Sequence, residues 1–189
     1  MEIVTKIVVV IWSLCTVAVL GDFIMYEWKV VRPVEADVQK ILAQADPEDR
    51  DPSPVVRRAI LANYGSDSIL ATSVARNLTV HGMPAKEVNP GAWMVRSFLT
   101  GLVCSQLSEK QLIGLHAVLT YNGVDHGMNG LSRRLFDKPL HQVSEDQAVT
   151  LEAFLWSPGI YRDHPDALNA RRARIQARLE AQNQPLRTE

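Results

Sequence analysis

The sequence predicts a mainly α-helical protein, with an apolar N-terminal helix followed by one small helical domain. Three observations carry this. Ile7 to Leu20 is an uninterrupted uncharged run, IVVVIWSLCTVAVL. Two serine capping boxes, Ser108 with Gln111 and Ser144 with Gln147, each open a stretch whose apolar residues recur at helical spacing. A third helical pattern begins at Pro165, where Leu168, Ile175 and Leu179 face one way among Arg171, Arg172, Arg174 and Arg178.

Composition sets the bounds. A chain of 189 residues with 47% hydrophobic content can form one ordinary domain plus an appendage. A net charge of -1 gives no global case for a nucleic acid or an acidic polymer as partner. Cys15 lies in the apolar run and Cys104 in an expected helix, which makes a disulfide between them improbable. The histidines at 81, 116, 126, 141 and 164 form no paired zinc motif and read as surface or half-buried residues. No metal or cofactor is expected.

Residues 1–32 read as a single-span membrane anchor with its juxtamembrane segment. Ile7 to Gly21 would span only about 22 Å of helix, short of the ~30 Å hydrocarbon core. Adding Phe23 to Tyr26 reaches full thickness, with Tyr26 and Trp28 as interfacial aromatics. The competing reading is a cleaved signal peptide, with Val19 and Gly21 as small-residue positions before the cut. Because the apolar-aromatic segment continues past that cut, the uncut anchor is preferred.

Residues 33–182 form the expected domain, and 183–189 a frayed tail. A helix runs from Pro33 to about Ala45, with Val34, Val38, Ile41 and Leu42 apolar. Asp46 to Pro54, acidic and proline-rich, reads as a solvated loop. A helix from Val55 to about Asn63 ends at Tyr64-Gly65-Ser66, and the next, capped by Asp67 or Ser68, carries Ile69, Leu70, Val74, Ala75 and Leu78. His81 to Gly91 reads as a second loop, and Trp93 to about Cys104 as a buried helix. Leu112, Leu115 and Leu119 share one face of the first capped helix, while Ala148, Leu151 and Leu155 follow the second box. Ser157-Pro158-Gly159 breaks that second helix.

In order and spacing these segments resemble the bacterial peptidoglycan glycosyltransferase domain, the transglycosylase of penicillin-binding proteins and their monofunctional relatives. Leu107 to Gly123 runs in register with the family's SKxEILxxYLNxxxFG, and Gly127 to Lys138 with its glycine run ending in YFGK. Val143 to Tyr161 fits LSxxEAAxLAxxxxxPxxYxP, and the helix carrying Arg171 and Arg172 fits the arginine-rich helix that follows. Arg58-Ala59-Ile60-Leu61-Ala62-Asn63 is similar to RAxxxN. The resemblance implies a shortened, lysozyme-like helical glycosyltransferase domain. It also implies an anchor in the bacterial cytoplasmic membrane, with the domain on the periplasmic or outer side. Fold alone does not settle activity.

The family joins lipid-linked disaccharides, displacing a polyprenyl pyrophosphate. That reaction needs a carboxylate as general base and cationic or N–H stabilisation of the leaving group. Members supply these from EDxxFxxHxG, GGSTITQQ and RKxxE motifs. In the first, Ala45-Asp46 stands where the glutamate–aspartate pair belongs. Glu48-Asp49 is the literal pair nearby, which makes Glu48 the one substitute candidate for a base, and its acidic, proline-rich setting argues against that role. The second motif survives as Ser66 to Leu78, keeping Ser68, Arg76 and Asn77 but placing Thr72 and Ser73 where the paired glutamines belong. In the third, Ala92 and Trp93 replace both cations and Arg96 replaces the second glutamate. A guanidinium cannot accept a proton as a carboxylate does.

Ser68, Thr72, Arg76, Asn77 and Arg96 are therefore the candidate substrate-binding residues, and no residue is assigned to catalysis beyond Glu48 as the substitute candidate. Asp125-His126 reads as loop, Trp93 and Trp156 as core, and the C-terminal arginines as a solvated face. The expected function is that of a non-catalytic, membrane-attached relative, a scaffold or regulator in cell-envelope polysaccharide assembly. Its partners would be a lipid-linked disaccharide or a cell-envelope synthesis protein. The alternatives are an active glycosyltransferase with rearranged catalytic residues and an anchored interaction module of unrelated origin. A carboxylate, Glu48 or Glu87, in the cleft between the Ser68 and Arg96 helices would favour the active enzyme.

Overall fold

A computed structural model describes residues 2–81 and 89–183, with the side chains of 2–11, 13 and 183 left out of the description. Glu87, a candidate for the expected cleft, and most of the second expected loop lie outside the described residues. Among the described residues the chain is helical, with no strand and one isolated bridge between Tyr121 and His126. The mainly α class follows directly.

The chain divides into two compact units, Met1–Asp37 and Val38–Glu189. The first holds α1 (Glu2–Tyr26) and a π-helical turn, Glu27–Val31, where the Arg32 guanidinium lies 3.9 Å over the Trp28 ring. Among the described residues no helix is long and apolar enough to cross a membrane, so the fold does not support the expected single-span anchor.

The second unit follows the end of α2 (Arg32–Gln44) with α3 (Pro47–Arg50), α4 (Pro54–Tyr64), α5 (Asp67–His81) and α6 (Pro90–Cys104). Then come α7 (Glu109–Leu119), α8 (Met128–Phe136), a 3-10 turn at Leu140–Gln142, α9 (Glu145–Leu155), α10 (Pro158–Tyr161) and α11 (Pro165–Asn183). Both capping boxes form: Ser108 caps α7 and Ser144 caps α9, each with the glutamine returning to the cap backbone N–H. Helix α5 packs on α6 and α7, and α4 packs on α9 and α11. Ile60, Leu70, Ile113, Leu115, Leu151 and Ile175 are fully buried between them.

The acidic segment after α2 is not a solvated loop. Asp46 accepts from the Glu48 N–H at 2.8 Å and caps a short helix, α3, that docks on α7 and α8. The approach is close enough to demand glycine at 114, where a Cβ would stand 2.5 Å from the Arg50 carbonyl oxygen. Asp49 is buried and accepts from the Asn129 N–H at 2.7 Å. A second correction concerns α6. The helix forms, but Met94, Val95 and Phe98 are exposed and Trp93 is only half-buried, so one face alone meets α5. The expected burial holds at the end of the helix, where Val103 and Cys104 are buried, and fails at Met94, Val95 and Phe98.

Candidate functional site

Where α5 and α6 diverge from the end of α4 and the end of α9, a cavity of 390 Å³ opens. That volume lies at the small end of ligand sites. Its α5 wall presents Thr72, Ser73 and Arg76, and its α6 wall Trp93, Ser97 and Phe98. Tyr64, at the last turn of α4, and Trp156, just past α9, complete it. Helical spacing explains the α5 wall, because residues 69, 72, 73 and 76 lie on one face of a helix.

Of the five expected binding residues, the structure brings two, Thr72 and Arg76, to this cavity. Ser68 is exposed at the first turn of α5, its hydroxyl 3.2 Å from that of Ser66. Asn77 is half-buried and Arg96 exposed, and neither lines the cavity. Ala45 is half-buried in the joint between α2 and α3. Glu48 is engaged elsewhere: it accepts from the His141 N–H at 2.8 Å and pairs with His141 Nδ1 at 2.8 Å. Its carboxylate ties α3 to the 3-10 turn.

Trp93 and Trp156 are wall residues, not core. Trp156 is 52% exposed, and the Arg171 guanidinium stacks 3.9 Å from its ring centroid. The C-terminal arginines likewise do more than face solvent. Arg171 donates to Asn63 Oδ1, and Arg178 donates to the carbonyl oxygens of Ala62 and Asn63, at 3.2 and 2.6 Å. The Arg178 bonds satisfy carbonyls at the open end of α4, and burial lowers the Arg171 pKa from its ordinary value.

Behind the cavity wall lies a polar network that composition does not announce. His116 of α7 and Glu152 of α9 are each 1% exposed and meet at 3.1 Å, Nε2 to Oε2. Asn63 donates to the other Glu152 oxygen at 2.7 Å. Tyr64 stands between this pair and the cavity, its hydroxyl 3.5 Å from His116 Nδ1 and 3.0 Å from Ser73 Oγ. Burial, and after it the Glu152 charge, raises the Tyr64 pKa well above the ordinary phenol value. The signal in the sequence was positional: His116 follows Leu112 by four residues and Glu152 follows Ala148 by four, so both fall on inward faces. No group of three or more metal-ligating side chains gathers among the described residues.

Comparison with protein-family models gives no match, and comparison with curated proteins gives no significant one.

Proposed function

We propose that the protein is a membrane-attached, glycosyltransferase-like scaffold or regulator of cell-envelope polysaccharide assembly. It holds a lipid-linked disaccharide, or the synthesis protein that carries one, without coupling sugars. The reading rests on the motif order in the sequence and on one observation about the cavity. Thr72 and Arg76 meet Trp93, Trp156 and Tyr64 there, and no aspartate or glutamate lines it among the described residues. Aromatic faces suit the apolar faces of sugar rings, and a guanidinium at the rim suits a pyrophosphate. Sugar coupling requires a proton acceptor against the attacking hydroxyl. Glu48, the substitute candidate, is committed to His141. The apolar N-terminal segment is the proposed attachment to the cytoplasmic membrane, with the helical domain on its outer side.

A titration of the full chain, in detergent, with a polyprenyl-pyrophosphate disaccharide tests the proposal. Saturable binding is expected, weakened about tenfold by Arg76→Ala through loss of a charge-assisted contact of roughly 1.5 kcal/mol. Binding that is absent, or indifferent to both Arg76→Ala and Trp156→Ala, removes the saccharide from the account and leaves a protein partner.

A further inference from the structure

The network behind the cavity ends in a serine, and its hydrogen-bond inventory has a direction. Glu152 accepts from Asn63 at one oxygen and faces His116 Nε2 with the other, so Nε2 carries the ring proton and Nδ1 is an acceptor. Two hydroxyls stand near Nδ1. Thr120 has spent its proton on the His116 carbonyl oxygen, at 2.6 Å. Tyr64 can then donate to Nδ1, 3.5 Å away, with its oxygen able to accept from Ser73 at 3.0 Å. Ser73 differs in this from other hydroxyls on the same helix: Thr72 and Thr79 bond back to the carbonyls of Ser68 and Ala75, at 2.8 and 2.7 Å. Ser73 also lines the cavity, so its hydroxyl lies between the Tyr64 phenol and the open space.

We propose that Ser73 is a nucleophile, activated through Tyr64 by the His116–Glu152 pair, and that the cavity hydrolyses carboxylic esters with an apolar acyl group. This goes beyond sugar binding and does not depend on it. Ile69, Trp93 and Phe98 supply the apolar walls for the acyl chain. Ser97 lines the same cavity and, among the described residues, its buried hydroxyl has no partner, so it is available to the carbonyl oxygen as charge develops there. In the first step Ser73 Oγ bonds to the carbonyl carbon. Its proton passes to Tyr64 as the Tyr64 proton passes to His116 Nδ1. The carbon–alkoxy bond then breaks, and the leaving oxygen takes a proton back along the same path. Water repeats the sequence on the acyl-serine, so that one ester and one water give one acid and one alcohol. Ser73 is the catalytic residue. Tyr64, His116 and Glu152 act through it.

The test is covalent labelling of the full chain, in detergent, by an alkyl fluorophosphonate, followed by peptide mass mapping and by the rate of p-nitrophenyl butyrate hydrolysis. One adduct per chain on Ser73 is expected, with both labelling and hydrolysis lost in Ser73→Ala. Tyr64→Phe removes only the linking hydroxyl and keeps the ring packed on His116; it should slow labelling at least tenfold with the helical signal and cooperative melt retained. A network that merely packs the core would leave the labelling rate of Ser73 unmoved in that variant. No adduct on Ser73 in the folded wild-type protein overturns the proposal, and so does any slowing smaller than tenfold in Tyr64→Phe.

Discussion

At Asp49, burial works against the ionised carboxylate, and the nearby Asp46 and Glu48 charges add to it. Backbone N–H groups of Asn129 and Met128 oppose them, and the net effect raises the pKa from 3.8 to about 7. The folded state therefore favours the protonated acid. Its stabilising contribution is full below about pH 4 and is lost as pH rises through about 7. Thermal melts between pH 4 and 8 should show the wild type losing on the order of 2–4 kcal/mol relative to Asp49→Asn across that window. A parallel pH course for the two proteins would contradict the assignment. Glu152 is a different case, a buried acid with both oxygens bonded. Glu152→Ala strands His116 and Asn63 without their partner and should cost roughly 3–5 kcal/mol in chemical denaturation. These two acids also mark the limit of the sequence at this scale. Asp49 sits among acidic residues and prolines that suggest solvent, and its burial comes from the docking of α3 on α7 and on the start of α8, where Gly127 and the Asn129 N–H meet its carboxylate. His116 and Glu152 were visible as polar residues at inward helical positions, but nothing in one sequence said that they face each other.

The helices that announce themselves through local bonds form where they were expected. Ser108 and Ser144 each accept from an N–H at the start of a helix and donate their own backbone N–H to the side-chain oxygen of their glutamine, and such signals depend on four consecutive residues only. Ser144→Ala should lower stability by about 1 kcal/mol, measured by denaturant titration, with the slope unchanged. Helix α6 shows the opposite situation. Its apolar composition predicts burial, yet Met94 and Phe98 are 65% exposed and Val95 61%. Which face of a helix meets a neighbour is settled by the neighbour. Phe98→Ser should therefore shift stability by no more than about 0.5 kcal/mol, whereas Ile60→Ala, fully buried on α4, should cost about 2–5 kcal/mol. Equal losses for both would mean that α6 buries its outer face.

Across the whole molecule, the cavity draws on the ends of α4 and α9 and the middles of α5 and α6. Its residues run from Tyr64 to Trp156 in the chain. Thr72 and Arg76 were legible because both sit on one helix within a recognisable pattern. Tyr64, Trp93 and Trp156 were not, since their meeting depends on how four helices converge. The functional account depends on what this assembly leaves out: among the described residues, a carboxylate facing the cavity. The one measurement that tests it most directly is polymerisation of a lipid-linked disaccharide by the purified full chain, followed by separation of products by length. We predict that the disaccharide is recovered unchanged, with or without Glu48→Gln. Chains of linked disaccharide formed by the wild-type protein and abolished in Glu48→Gln would contradict the account.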